Sequence, residues 1–289
     1  MIRIEARPDV EAANLLGEGP IWWRDQLLWV DLLNGLLLRR GAEGGSAEVL
    51  SRESAVSVAV PRRNGGLALL TDRTIELLDS GFAVESIIEV PDLPDGERLA
   101  DATAGPGGEL WFGSIRNDLT PGGSLYRLRP GEDHPRVVLA GIGLANGLGF
   151  SPDGRTLYFV DSTAGTVTAF DYDPATHELS RPDIIATIDP ADGSPDGITV
   201  DAAGSIWVAL WAGGCVRRLE PDGVWSQEVL VPAPNVTSCA LGGENLNILY
   251  ITTATVEMDA AALDASPLAG SLFATPVPVP GLPTLEVDL

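Results

Sequence analysis

Lysine is absent from the chain, and all 18 basic residues are arginine. That excludes Schiff-base chemistry through a lysine amine and a phosphate-binding loop of the Gly-Lys-Ser type. Histidine is almost as scarce. His134 reads as part of a Pro-flanked loop and His177 as part of a turn, so neither a histidine zinc site nor a Ser-His-Asp triad is expected. The closest approach to a nucleophile elbow, Gly149-Phe150-Ser151-Pro152-Asp153, lacks the last glycine and reads as a hairpin. The two cysteines, Cys215 and Cys239, have no metal-type spacing and read as buried, reduced thiols. No run reaches the ~18 apolar residues of a membrane-crossing helix. Met1-Ile2-Arg3-Ile4-Glu5 lacks the apolar core of a signal peptide, which points to the cytoplasm. Positive charge is outweighed by 41 acidic residues, giving a net charge of −23. Nucleic acid and anionic membrane surfaces would be repelled. The charge fits a solvated acidic surface.

What the chain does have is a repeat. Six times a turn precedes a short strand: Leu28-Trp29-Val30, Ala68-Leu69-Leu70, Leu110-Trp111-Phe112, Leu157-Tyr158-Phe159, Ile206-Trp207-Val208 and Leu249-Tyr250-Ile251. Their centres lie 40, 42, 47, 49 and 43 positions apart. Turn residues such as Asn64-Gly65-Gly66, Pro152-Asp153-Gly154 and Ala202-Ala203-Gly204 supply the backbone angles of hairpins. A further strand follows each marker, as in Ser124-Leu125-Tyr126-Arg127-Leu128 and Thr166-Val167-Thr168-Ala169-Phe170. Strand repeats of this length indicate an all-β, six-bladed β-propeller with four-stranded antiparallel blades around a central channel. The repeats run nearly end to end, so residues 1–289 are expected to form one domain, a closed ring that is monomeric. Ile2-Arg3-Ile4 and Leu285-Glu286-Val287 have strand character and are expected to meet and close the ring.

The innermost strand of each blade should precede its hairpin turn. The candidates are Pro20-Ile21-Trp22, Ser57-Val58-Ala59-Val60, Ala102-Thr103-Ala104, Leu148-Gly149-Phe150, Ile198-Thr199-Val200 and Cys239-Ala240-Leu241. Residues just before them should face the channel mouth. Four blades place Glu18, Asp101, Asn146 and Asp196 there; the others offer Ser54 or Ser57, and Thr237 or Ser238. Glu18, Asn146 and Asp196 are each followed by glycine and lie 11 or 12 residues before the aromatic marker of their blade. A single Asp-Gly or Asn-Gly is usually a plain turn, but recurrence at one repeat position points to the channel axis. Converging carboxylates repel one another unless a cation or proton intervenes. An all-oxygen set suits a hard divalent cation, first Ca²⁺, then Mg²⁺ or Mn²⁺.

At these residues the chain resembles the SMP-30/gluconolactonase/luciferin-regenerating enzyme family. The resemblance is carried by Leu16-Gly17-Glu18-Gly19-Pro20, by Ala145-Asn146-Gly147 with Ser151-Pro152-Asp153-Gly154, and by Pro195-Asp196-Gly197-Ile198-Thr199-Val200-Asp201. Pro232-Ala233-Pro234-Asn235-Val236-Thr237-Ser238 and Pro267-Leu268-Ala269-Gly270 extend it along essentially the whole chain. The resemblance implies a six-bladed propeller with one divalent metal held by Glu18, Asn146 and Asp196. It implies Ca²⁺ first, with Mn²⁺, Zn²⁺, Mg²⁺ and Fe²⁺ as alternatives, and hydrolysis of a small aldonolactone to its sugar acid. Asp196 would be the general base and Asp101 its reserve, with Arg98 and Asp101 contacting substrate. The chain departs from the family in Arg98-Leu99-Ala100-Asp101, where Ala100 stands in place of an asparagine. A promiscuous esterase or phosphotriesterase on the same metal, and a metal-stabilised propeller that binds a small molecule without turnover, remain as competing expectations.

Overall fold

The computed structural model describes residues 1–41 and 46–289. Six sheets follow one another along the chain, each running from an inner to an outer strand. The inner strands are Gly17–Trp23, Val56–Pro61, Glu97–Ala104, Ala145–Phe150, Ser194–Val200 and Val236–Gly242. All six contain the segments expected from the repeat. The architecture is a six-bladed β-propeller. The only regular helical pieces among the described residues are Ala260–Ala265 and the 3₁₀ turn Pro190–Asp192. No helix is long and apolar enough to cross a membrane.

The marker strands are the second strands of the blades and are covered on both faces by the neighbouring blades. Trp29, Trp111 and Trp207 are fully buried there. Large rings at this position fill the wedge between blades. Trp207 shows how such a ring is seated. Its indole N–H donates to Asp201 Oδ2 at 3.2 Å, and Arg218 Nε donates to the same oxygen at 2.7 Å. The Arg218 guanidinium lies 5.7 Å from the Trp207 ring centroid. Cys215 and Cys239 are buried and unbridged, as the sequence indicates.

The two ends of the chain do not meet each other. Arg7–Val10 pairs antiparallel with Leu272–Pro276 and supplies the outer strand of the sixth blade. Ile2–Glu5 adds in parallel to Trp225–Leu230 as a fifth strand of the fifth blade. The C-terminal stretch instead bridges Arg62 at Val287, beside the second blade. Pro278, Pro280 and Pro283, each without a backbone N–H, keep the segment between Leu272–Pro276 and Val287 from continuing as a ladder strand. That segment crosses one end of the channel, where Thr284 Oγ1 donates to the carbonyl of Trp22 at 2.7 Å.

One irregularity recurs in every blade. The inner strand carries an extra residue against its partner: between Glu18 and Ile21, Val56 and Val58, Leu99 and Ala102, Ala145 and Leu148, Pro195 and Ile198, and Val236 and Ser238. Such β-bulges re-aim side chains and cluster beside functional sites. Here all six lie at the same end of the channel.

Candidate active site

Asp101, Asn146 and Asp196 sit in the bulges of their strands, while Glu18 is the last paired residue before its bulge and Arg98 is paired with Ile115. Glu18, Arg98, Asp101, Asn146 and Asp196 line one cavity of about 570 Å³, with Ala100 and Ser57 beside them. Ser54, Thr237 and Ser238 do not line it. Thr237 Oγ1 is spent inside the fold, donating to the Gly17 carbonyl at 2.6 Å. Ser238 faces a second cavity of about 360 Å³ at the other end of the channel, which the C-terminal residues Leu282–Leu285 also line. Asp101 borders both cavities.

Register corrects the sequence alignment of the third blade. In the fourth and fifth blades the first unpaired bulge residue is Asn146 or Asp196, and glycine follows. In the third blade the first unpaired residue is Ala100, and Asp101 takes the place of the glycine. Asp101 is thus one step further along the strand, which accounts for its contact with both cavities. The glycines have a steric cause. A Cβ on Gly147 would lie 2.6 Å from the Asp196 carbonyl oxygen, and one on Gly197 would lie 2.1 Å from Ser238 Oγ. Neighbouring inner strands approach too closely there for a side chain.

Two strand-end aspartates brace the strands that carry Glu18 and Asn146. Asp31 accepts hydrogen bonds from the backbone N–H groups of Leu15 and Leu16, both at 3.1 Å. Asp161 does the same for Gly143 and Leu144, at 2.9 and 3.2 Å. Each ends a marker strand and opens an Asp-x-x-x-Gly turn, at Gly35 and Gly165. That repeat was visible in the sequence but pointed to no chemistry without the fold.

The carboxylates crowd one another. Burial, then the charge of Asp101, pushes the Glu18 carboxyl up to about 8, against smaller opposing effects from the Gly19 N–H and Arg98. Burial pushes Asp101 up to about 6, although the Ala102 N–H donates to its Oδ1 at 2.8 Å. Asp196 is buried, and desolvation followed by the charges of Glu18 and Asp101 raises it well above the ordinary carboxylate range. Burial lowers the Arg98 guanidinium, against the pull of Glu18 and Asp72. Mutual repulsion on this scale is relieved by a proton or a cation.

Apolar side chains share the lining: Leu16, Leu33, Ile115, Leu119, Trp211 and Val256 border the same cavity, and Leu33 and Leu119 remain 44% and 51% exposed.

The fold is a six-bladed propeller with a carboxylate-rich cavity at one channel mouth. The family pattern described as SMP-30/Gluconolactonase/LRE-like region matches residues 16–255, and the chain belongs to that family. Among its relatives, the pentonolactonase XacC of Haloferax volcanii is 35% identical over 287 residues, covering 97% of each chain. The 6-deoxy-6-sulfogluconolactonase of Pseudomonas putida is 35% identical over 280 residues, covering 94% of each chain. A solved structure described as the calcium-binding protein regucalcin, from Agrobacterium tumefaciens, superposes with a TM-score of 0.92 at 27% identity, over 100% of this chain and 99% of that one.

Proposed function

We propose that the protein is a lactonase that hydrolyses an aldonolactone to its sugar acid with the help of one divalent cation. The observation that carries this is the convergence of Glu18, Asp101, Asn146, Asp196 and Arg98 on one cavity in a chain 35% identical to two sugar lactonases. Glu18, Asn146 and Asp196 would hold the cation. The donor set fits a hard ion: every candidate donor atom is oxygen, and burial with mutual repulsion raises both carboxyls above the ordinary carboxylate range. Among the described residues no three His, Cys, Asp or Glu side chains form a metal set. In this reading the Asn146 amide oxygen completes the set supplied by Glu18 and Asp196. Ca²⁺ is the leading ion, with Mn²⁺, Zn²⁺, Mg²⁺ and Fe²⁺ as the alternatives. When bound, the cation supplies Lewis-acid polarisation of the ester carbonyl.

The chain's own residues do the rest. Asp196 takes a proton from the attacking water; Asp101, held near neutrality and bordering the same cavity, is the reserve base. The water oxygen bonds to the carbonyl carbon, the ring C–O bond breaks, and the proton passes to the leaving oxygen. Arg98 orients the sugar hydroxyls and the new carboxylate. The sugar acid ionises at neutral pH, so turnover acidifies the medium. The test is a pH-drop assay on gluconolactone and xylonolactone after chelation, with single cations added back, for the wild type, Asp196→Ala and Asp101→Ala. Loss of activity on chelation, recovery with one cation, and a loss of at least ~10²-fold in one variant are expected. Full activity in both variants with metal still bound sinks the assignment. Ligand-induced thermal stabilisation without turnover of any lactone would instead make the protein a binding propeller.

The apolar part of the lining favours a second reading. Ala100 occupies the bulge position that presents an amide or carboxylate in the next two blades, and Leu33 and Leu119 expose apolar surface. Esters or phosphotriesters with apolar substituents would fit that lining. Faster turnover of an aryl ester or an organophosphate than of either sugar lactone selects this reading.

A further inference from the structure

Ser162 lies in the turn after the marker strand Thr156–Asp161 and lines the same cavity. Its hydroxyl sits between two blades. Oγ donates to the Pro195 carbonyl at 2.5 Å, and Asn146 Nδ2 donates to that Oγ at 2.7 Å. A hydroxyl has one proton to give. With that proton committed to Pro195, the group of Asn146 facing Ser162 has to be the donor. The amide NH₂ is thereby turned toward Ser162, and Oδ1 toward the other end of the amide plane. The Pro195 carbonyl is in turn one residue from Asp196. One hydroxyl therefore joins the strand carrying Asn146 to the strand carrying Asp196, and sets which end of the amide is available.

We infer that Ser162 is a positioning residue for the cation set, acting by holding the Asn146 amide with its oxygen free for the ion. This rests on the reading of Glu18, Asn146 and Asp196 as the ion's donors. It assigns Ser162 no contact with the ion or with substrate. An asparagine amide without such a partner can rotate end for end and present NH₂, which repels a cation. Residues that orient metal ligands in this way typically contribute 10–100-fold to affinity.

Ser194 provides an internal control. Its Oγ donates to the Ser162 carbonyl at 3.0 Å, linking the same two blades without touching Asn146. Structural tethering alone would make the two serines equivalent. The amide-orientation role makes only the Ser162 hydroxyl important.

The experiment is calorimetric titration of the chelator-stripped full chain with Ca²⁺ and Mn²⁺, alongside thermal melts of the metal-free proteins. Ser162→Ala is expected to weaken binding by about 10-fold or more, and Ser194→Ala by less than about 3-fold. Ser162→Thr, which keeps the hydroxyl, is expected to stay near wild type; Ser162→Cys serves as a second loss variant should alanine unfold the blade. The decisive readout is the Asn146→Asp background. A carboxylate presents oxygen at both ends, so Ser162→Ala should cost much less there than in the wild type. Equal losses from Ser162→Ala and Ser194→Ala, or the same Ser162→Ala loss in both backgrounds, would overturn the inference while leaving the cation reading intact. A wild-type protein that binds neither ion would remove the cation reading itself, and the inference with it.

Discussion

Replacing Glu18 with glutamine is expected to change how the metal-free protein responds to pH. The Glu18 carboxyl is held at about 8 in the fold against an ordinary value of 4.5. In the unfolded chain it gives up its proton near the ordinary value; in the folded chain it keeps it almost to pH 8. Between those limits the folded state binds more protons, so folding stability falls as pH rises through that window and levels off above it. At about 1.4 kcal/mol per tenfold change in proton affinity, the whole interval is worth about 5 kcal/mol. Glu18 is only half-buried, so water screens part of that, leaving about 2–3 kcal/mol. For a chain of this size that corresponds to roughly 5 °C in melting temperature. Melts in chelator from about pH 5 to about pH 8.5 should show the wild type losing about 5 °C more than Glu18→Gln. Millimolar Ca²⁺ should restore the wild type at the alkaline end and do little for the variant. Parallel curves for the two proteins in chelator would refute the claim that burial, together with the charge of Asp101, raises the Glu18 carboxyl in the fold.

Two further outcomes are expected. Ala100→Asn places an amide at the third-blade bulge and should shift kcat/KM toward sugar lactones over aryl esters by about 10-fold, at a packing cost of about 1–3 kcal/mol; relative rates on the two substrates and a urea melt check both parts. Arg218→Ala leaves the Asp201 carboxylate buried beside the Trp207 indole without its main partner, and should destabilise the fold by about 3–5 kcal/mol in urea denaturation.

Much of this molecule was legible from local pattern. The six marker strands and the strands flanking them fall where hydrophobic alternation and turn residues put them, because pairing within a blade involves neighbours in the chain. That Glu18, Asn146 and Asp196 line one cavity was legible because they recur near one place in the repeat, and their following glycines mark the close approach of inner strands. The outer strands were not legible. They are largely exposed, carry weak alternation, and in the sixth blade come from the opposite end of the chain, at Arg7–Val10.

The finer arrangement of the site came from strand register within a blade and from contacts between blades. Sequence spacing aligned Asp101 with Asn146 and Asp196; the register put Ala100 there instead, since a single-residue bulge depends on hydrogen bonding across a strand pair. The direction of the Asn146 amide is set by Ser162 and Pro195, which come from different segments and carry no mutual pattern. Local propensity and periodicity can therefore specify which strands form and which polar residues approach the axis. Only the closed ring, by packing one blade against the next, decides which atom each of those residues turns toward the cavity.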